Sequence, residues 1–322
     1  MTRTAFVFPG QGSQRVGMGR DLYAPRPEIA DRYFRDADDL LGIPLSRLCL
    51  YGSAAELADP AIAQPAVFLT SLITYEILRD RGIGADAVAG HSLGEYTALT
   101  AAGVLHWSDA LELVRLRGEL VATTNDRVPS ATAAVIGLSR AEVRWLCAEA
   151  ARATGRVVEV TGDNEPGQTA VSGEAAAVDR LISLARAAGA VRVQEIPTGG
   201  PFHTSLLRDV EAEFTEALIG THFANPRTPL VSSVTGTEVT TATEAVVALR
   251  AQLTSPVRWT ETVRLLAARG TTHFVEVGPG LVLTGLGRRI APRTRSLATG
   301  TTRQLDLTVA AFAARRRDAS AA

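Results

Sequence analysis

The chain contains no lysine: all 33 positive side chains are arginine, set against 34 aspartates and glutamates for a net charge of −1. Such a balance excludes any overall attraction to nucleic acid or to an anionic membrane surface, so a charged partner has to be met by a local patch. The arginine usage, together with abundant alanine, fits a GC-rich coding bias and carries no function. Cysteine is almost as scarce. Cys49 and Cys147 are the only two, and neither stands in a C-x-x-C pair or a Cys/His cluster, which argues against a disulfide framework and a zinc site, so no metal is expected. Met1 to Pro9 holds one arginine and a short apolar stretch that runs into a glycine loop, without the long apolar core of a secretory signal. No apolar segment approaches the roughly 18 residues that a membrane span needs. The expectation is a cytoplasmic protein with reduced thiols and no membrane or nucleic-acid partner.

What is present is enough for a sizeable core. Of the 322 residues 46% are hydrophobic and 21% charged, a globular composition whose length suits one large domain with a smaller companion. Thr4 to Phe8 reads as an apolar strand followed by the loop Pro9 to Gln14. Apolar strands then alternate with helical stretches: a helix near Ala66 to Arg79, a strand at Ala87 to Gly90, a helix from Asp109 to Val121, and later a strand at Thr272 to Val277. That rhythm predicts an α/β fold, a large α/β-hydrolase-like domain with a parallel sheet, whose sites form at the carboxyl ends of the strands. Between about Ser130 and Ile196 the order becomes βαββαβ, a ferredoxin-like inserted subdomain. The predicted division is 1–128 with 198–295 for the large domain, 129–197 for the insertion, and 296–322 for a loosely packed tail. A helix from about Ser205 to Leu218 is also expected.

The pentapeptide Gly90-His91-Ser92-Leu93-Gly94 puts a serine between glycines where a strand turns sharply into a helix that Gly103 stops. Such an elbow exposes the hydroxyl and leaves no room for side chains two residues to either side. Serine needs a base to become a nucleophile, and histidine is the usual one. His91 adjoins Ser92 and reads as a positioning residue, because neighbours at a strand end point apart. His106, His222 and His273 lack further polar signals. His203 lies in the glycine-proline loop Gly199 to Ser205, where catalytic groups on a rigid scaffold tend to sit. Helical spacing from Leu113 and Val114 turns Arg117 toward the core, which demands an anion. An internal salt bridge would satisfy it, and so would a substrate carboxylate held bidentately.

Several separated blocks carry a resemblance: Phe8 to Gln14, Gln64-Pro65-Ala66, Gly90 to Tyr96, Arg117-Gly118-Glu119, Phe202-His203, Ser255 to Trp259, and Glu276 to Gly280. To about Ile290 the chain resembles the malonyl-CoA:acyl-carrier-protein transacylases and the discrete, trans-acting acyltransferases of polyketide synthases. The resemblance implies that Ser92 attacks an acyl-CoA thioester with His203 as base, and that the phosphopantetheine thiol of an acyl carrier protein, free or within a synthase, then takes the acyl group. It implies an oxyanion hole from the N–H groups of Gln11 and Leu93, and a histidine oriented by the Gln252 carbonyl. Arg117 would hold the malonyl carboxylate, with Gln64, His91, Thr132 and Phe202 also at the substrate. No bound cofactor is implied, only acyl-CoA as substrate, and a monomer suffices.

Two positions depart from the family pattern. Thr132 stands where a methionine is usual and Gly162 where an asparagine is common; both reduce side-chain volume near the acyl pocket and leave room for a cargo larger than malonyl. Leu93 and Phe202 look like malonyl-selecting versions of their motifs. Arg288, Arg289, Arg293 and Arg295, with Arg315 to Arg317 further on, form a basic cluster; Arg288 and Arg289 are the expected docking residues for an acidic carrier. The alternatives are transfer of a larger acyl group between carrier proteins, an editing acyl hydrolase, and a non-catalytic partner. The carboxylate clamp separates the first expectation from the hydrolase.

Overall fold

The computed structural model describes residues 3–23, 25–196 and 199–320, with side chains other than those of 23 and 314–320. Its first strand explains where the molecule's centre lies. In β1 (Arg3–Phe8) every residue after Arg3 is buried, as expected of a parallel strand covered on both faces. Phe6 and Phe8 enter one apolar cluster, while Ala5 and Val7 enter another with Trp259 and Leu283. The further strands are β2 (Ala87–Gly90), β3 (Ser130–Ile136), β4 (Val158–Glu165), β5 (Gln168–Glu174), β6 (Arg192–Glu195), β7 (Leu230–Val231), β8 (Glu238–Val239), β9 (Thr271–Glu276) and β10 (Arg295–Ala298). They form a six-stranded sheet in the order β10-β9-β1-β2-β7-β8 and a four-stranded sheet in the order β4-β5-β3-β6. Only β8 runs antiparallel in the first sheet. Phe8 pairs with Gly90, so the glycine loop and the serine elbow leave the sheet side by side.

The second sheet is antiparallel throughout and follows the expected βαββαβ order. Its alternation divides its two faces cleanly. Ala133 and Val135 pack with Val143, Leu146 and Leu181 of the helices Arg140–Thr154 and Ala175–Ala187, while Thr132, Ala134 and Ile136 face a cavity. The edge strand β4 is fastened to the larger sheet's loops. Asp163 N–H donates to the Val257 carbonyl at 2.8 Å and Val257 N–H to Thr161 at 2.9 Å. Both Glu159 oxygens accept from Ser205, one from its N–H and one from its hydroxyl, each at 2.8 Å.

Three expectations need correction. Residues 295–298 are an edge strand paired parallel to β9, and Ala298, Thr299, Leu305 and Thr308 are buried; the tail is part of the fold, its strand too short and too polar to read as one. The stretch from Ser205 opens as a tight 3-10 turn, Ser205–Val210, and becomes α-helical only at Glu211–Gly220. The helix Pro60–Asp80 is long and apolar enough to cross a membrane by length and composition. It is a core helix instead, with 15 of its 21 residues buried. The expected boundary at 197/198 lies outside the described residues, as do the side chains of Arg315 to Arg317.

Candidate active site

The elbow is as tight as its glycines suggest. A Cβ on Gly90 would stand 2.0 Å from the Gly94 carbonyl carbon, and one on Gly94 would stand 2.0 Å from the Phe8 oxygen; no side chain fits at either position. Ser92 between them has φ 53°, and the helix Gly94–Ala101 begins immediately after buried Leu93. Among the described residues, one other non-glycine has a left-handed backbone, His203 at φ 61°. The two meet: Ser92 Oγ lies 2.7 Å from His203 Nε2.

His203 Nδ1 lies 2.8 Å from the Gln252 carbonyl oxygen. That carbonyl can only accept, so Nδ1 carries the proton and Nε2 is free to take one from Ser92. Burial, and then the positive charge of Arg117, push the imidazole down to about 3, so the ring is neutral at physiological pH. The Gln252 side chain grips the elbow as well. Its Nε2 donates to the Ser92 carbonyl at 3.1 Å and to the Glu95 carboxylate at 3.0 Å, and Ser233 donates to Glu95 at 2.9 Å. Burial holds the Glu95 carboxyl above its ordinary range.

Arg117 is 1% exposed. Its Nη1 donates to Gln64 Oε1 at 2.6 Å and its Nη2 to Ser92 Oγ at 3.1 Å, while the guanidinium carbon lies 5.5 Å from the centre of the Phe202 ring. No aspartate or glutamate forms an ion pair with it among the described residues, so the internal salt bridge that was one option is not formed. Burial lowers its affinity for the proton. Arg117 Nε and Gln64 Nε2 are buried without hydrogen-bond partners.

A cavity of about 350 Å³ opens over Ser92 and His203. Gln11, Phe202 and Thr132 line it as expected, and so do Gly162, Asn164 and Val282. Thr132 Oγ1 donates to Ser172 at 3.0 Å. His91 is tied to Asn164 Oδ1 at 2.9 Å and packs edge-on against Trp259, 5.4 Å between ring centres, which fits the positioning reading. Of the basic cluster, Arg288 and Arg289 are both exposed, and Arg289 forms an ion pair with Glu165.

Sequence reasoning overlooked Glu95, Glu159 and Asn164. Glu95 had a signal, as the only charge in the stretch Leu93 to Ala102. Glu159 and Asn164 had none, because each acts on a residue far away along the chain.

The acyl transferase domain family matches residues 5–299. The malonyl CoA-acyl carrier protein transacylase of Bacillus subtilis is 38% identical over 312 residues, 96% of this chain and 97% of that protein. The protein of the same name in Escherichia coli K12 is 41% identical over 291 residues, 90% of this chain and 93% of that one. A solved type II polyketide synthase acyl-carrier protein in complex with its malonyl-transacylase supplies a chain that superposes with a TM-score of 0.90 at 36% identity, covering 96% of this chain and 99% of its own.

Proposed function

From the premise that this chain belongs to the acyl transferase domain family, we propose that it moves a malonyl group from coenzyme A to the phosphopantetheine thiol of an acyl carrier protein, for fatty-acid or polyketide synthesis. It is an acyltransferase, and the chemistry runs in two halves. His203 Nε2 takes the Ser92 hydroxyl proton as Oγ attacks the thioester carbonyl carbon. The carbonyl oxygen, now an anion, accepts from the N–H groups of Leu93 and Gln11; one such donor is typically worth about 10² to 10³ in rate. Collapse expels the thiolate of coenzyme A, which takes the proton back from His203, and leaves a malonyl ester on Ser92. The carrier thiol then enters, gives its proton to His203, and carries the acyl group away by the reverse sequence. No bound cofactor has a part in these steps.

The observation that carries the malonyl reading is Arg117, a buried guanidinium touching Ser92 Oγ with no ion-pair partner among the described residues, Glu95 acting on it only at longer range. The donor's free carboxylate supplies that partner, and the unpartnered Gln64 Nε2 can add a second donor. His91, Phe202 and Thr132 shape the pocket around it. Transfer is tested by supplying malonyl-CoA with and without the carrier protein and following coenzyme A release. Release that depends on the carrier supports the transferase. Equal release to water would establish the editing hydrolase instead. The small residue at Gly162 does not itself leave room for a larger cargo, since a Cβ there would stand 3.2 Å from Asn164 Oδ1; a panel of longer acyl-CoA donors tests that alternative.

Carrier docking is assigned to Arg288 and Arg289, both exposed, Arg289 also meeting Glu165. Charge reversal at Arg288 and Arg289 raises the carrier KM at low salt, and an unchanged KM refutes the docking assignment. A monomeric state, a cytoplasmic location and a discrete 129–197 unit complete the proposal. Gel filtration, fractionation and limited proteolysis test them in turn.

A further inference from the structure

The Ser92 hydroxyl is engaged from two sides. It donates to His203 Nε2 at 2.7 Å, and the same oxygen accepts from Arg117 Nη2 at 3.1 Å. A charge-assisted hydrogen bond of this kind draws on the lone pair that has to attack a carbonyl carbon. A positive charge beside His203 also disfavours the imidazolium that forms as the proton moves, and after burial Arg117 is the largest influence holding that imidazole down. The guanidinium is imperfectly satisfied where it sits. Its Nε and the facing Gln64 Nε2 are buried without partners, and such donors cost about 1–3 kcal/mol each until something accepts from them.

We propose that Arg117 is a catch on the nucleophile, released by the carboxylate of the donor. This rests on the reading that the donor carries a carboxylate. Pairing with that anion draws the guanidinium off Ser92 Oγ and cancels its charge, so the hydroxyl regains its lone pair and His203 becomes a stronger base. The carboxylate then raises the rate of acylation as well as the affinity. Water and neutral thioesters meet a capped serine. A clamp that acted on binding alone would raise KM for neutral donors and leave the bound rate unchanged.

Formate carries a carboxylate without an acyl chain, and with acetyl-CoA it reconstitutes the pieces of a malonyl donor. Single-turnover acetylation of Ser92 by acetyl-CoA, followed by intact-protein mass spectrometry with chloride matching the ionic strength, reads the catch directly. Formate accelerates the native protein saturably, by about tenfold if the catch is worth one decade of rate. Arg117→Met acetylates faster than the native protein without formate and does not respond to it. A native rate that formate leaves unchanged or lowers, or an Arg117→Met rate no higher than the native one, overturns the proposal. Should Arg117→Met fail to fold, the formate series on the native protein decides alone. Malonyl-CoA in the same experiment keeps the two readings apart. Failure to malonylate Ser92 removes the donor assignment, whereas malonylation with no formate effect removes only the catch.

Discussion

Ser92 and His203 share a left-handed backbone, a conformation that costs a non-glycine residue on the order of 1–3 kcal/mol and persists only where the surroundings impose it. The two are imposed in opposite ways. Ser92 is shaped mainly within five residues, where Gly90 packs against the Gly94 backbone, with Phe8 behind Gly94 and Gln252 Nε2 on the Ser92 carbonyl as its ties from elsewhere in the chain. His203 is held from far along the chain. The Gln252 carbonyl fixes its Nδ1, Glu159 fastens Ser205 two residues on, and Val121 packs under Gly200. The proposed nucleophile is therefore shaped mostly by nearby sequence and the proposed base mostly from far along the chain, so damage to each propagates differently.

The largest expected effect breaks the elbow. Gly94→Ala drives a Cβ into the Phe8 carbonyl and cannot relax without separating β1 from β2; a loss above about 4 kcal/mol, or no soluble protein, is expected in thermal or denaturant melts. A variant that melts within a few degrees of the native protein would refute the steric account of the elbow. Next comes the base. His203→Ala lowers acylation by about 10² to 10⁴ while the fold remains, because it removes the proton acceptor and leaves the elbow untouched. A drop of less than tenfold would mean that Ser92 is activated by another group.

A third effect follows from the depressed imidazole. The native His203 titrates at about 3, below the roughly 6.5 of an unfolded histidine. The unfolded chain therefore binds the proton first, and native stability falls as pH drops from about 6.5 toward 3. His203→Gln has no such penalty. The stability difference between native and variant should shift against the native protein by about 2 kcal/mol between pH 7.5 and pH 5, and a difference independent of pH would contradict a neutral buried ring. The smallest effect probes the long-range brace. Glu159→Ala releases the turn after His203 and should cost about 1 kcal/mol, Glu159 being partly exposed, with a several-fold lower kcat and an unchanged KM for malonyl-CoA. Unchanged kcat would show that the base loop stands without that brace.

The same contrast explains how much of the molecule was legible in its sequence. The strand into Gly90, the βαββαβ insertion and the turned-in Arg117 were readable because each is written in consecutive residues or in helical spacing. So was Ser92. The His203 loop could be singled out only by its glycines and proline. Its orienting carbonyl at Gln252 came from the family resemblance, and its tie to Glu159 was invisible, since no local pattern records a contact across 46 positions. The edge strand β10 escaped for a related reason: four residues with one large apolar side chain are recognisable only beside the strand they pair with.

Whether Ser92 carries the acyl group with His203 as its base is read most directly by intact-protein mass spectrometry after brief mixing with malonyl-CoA. The native protein should gain one malonyl group that vanishes when the carrier protein is added, Ser92→Ala should gain none, and His203→Ala should gain it far more slowly. A malonyl adduct of equal size and rate on Ser92→Ala would place the acyl group on a different residue.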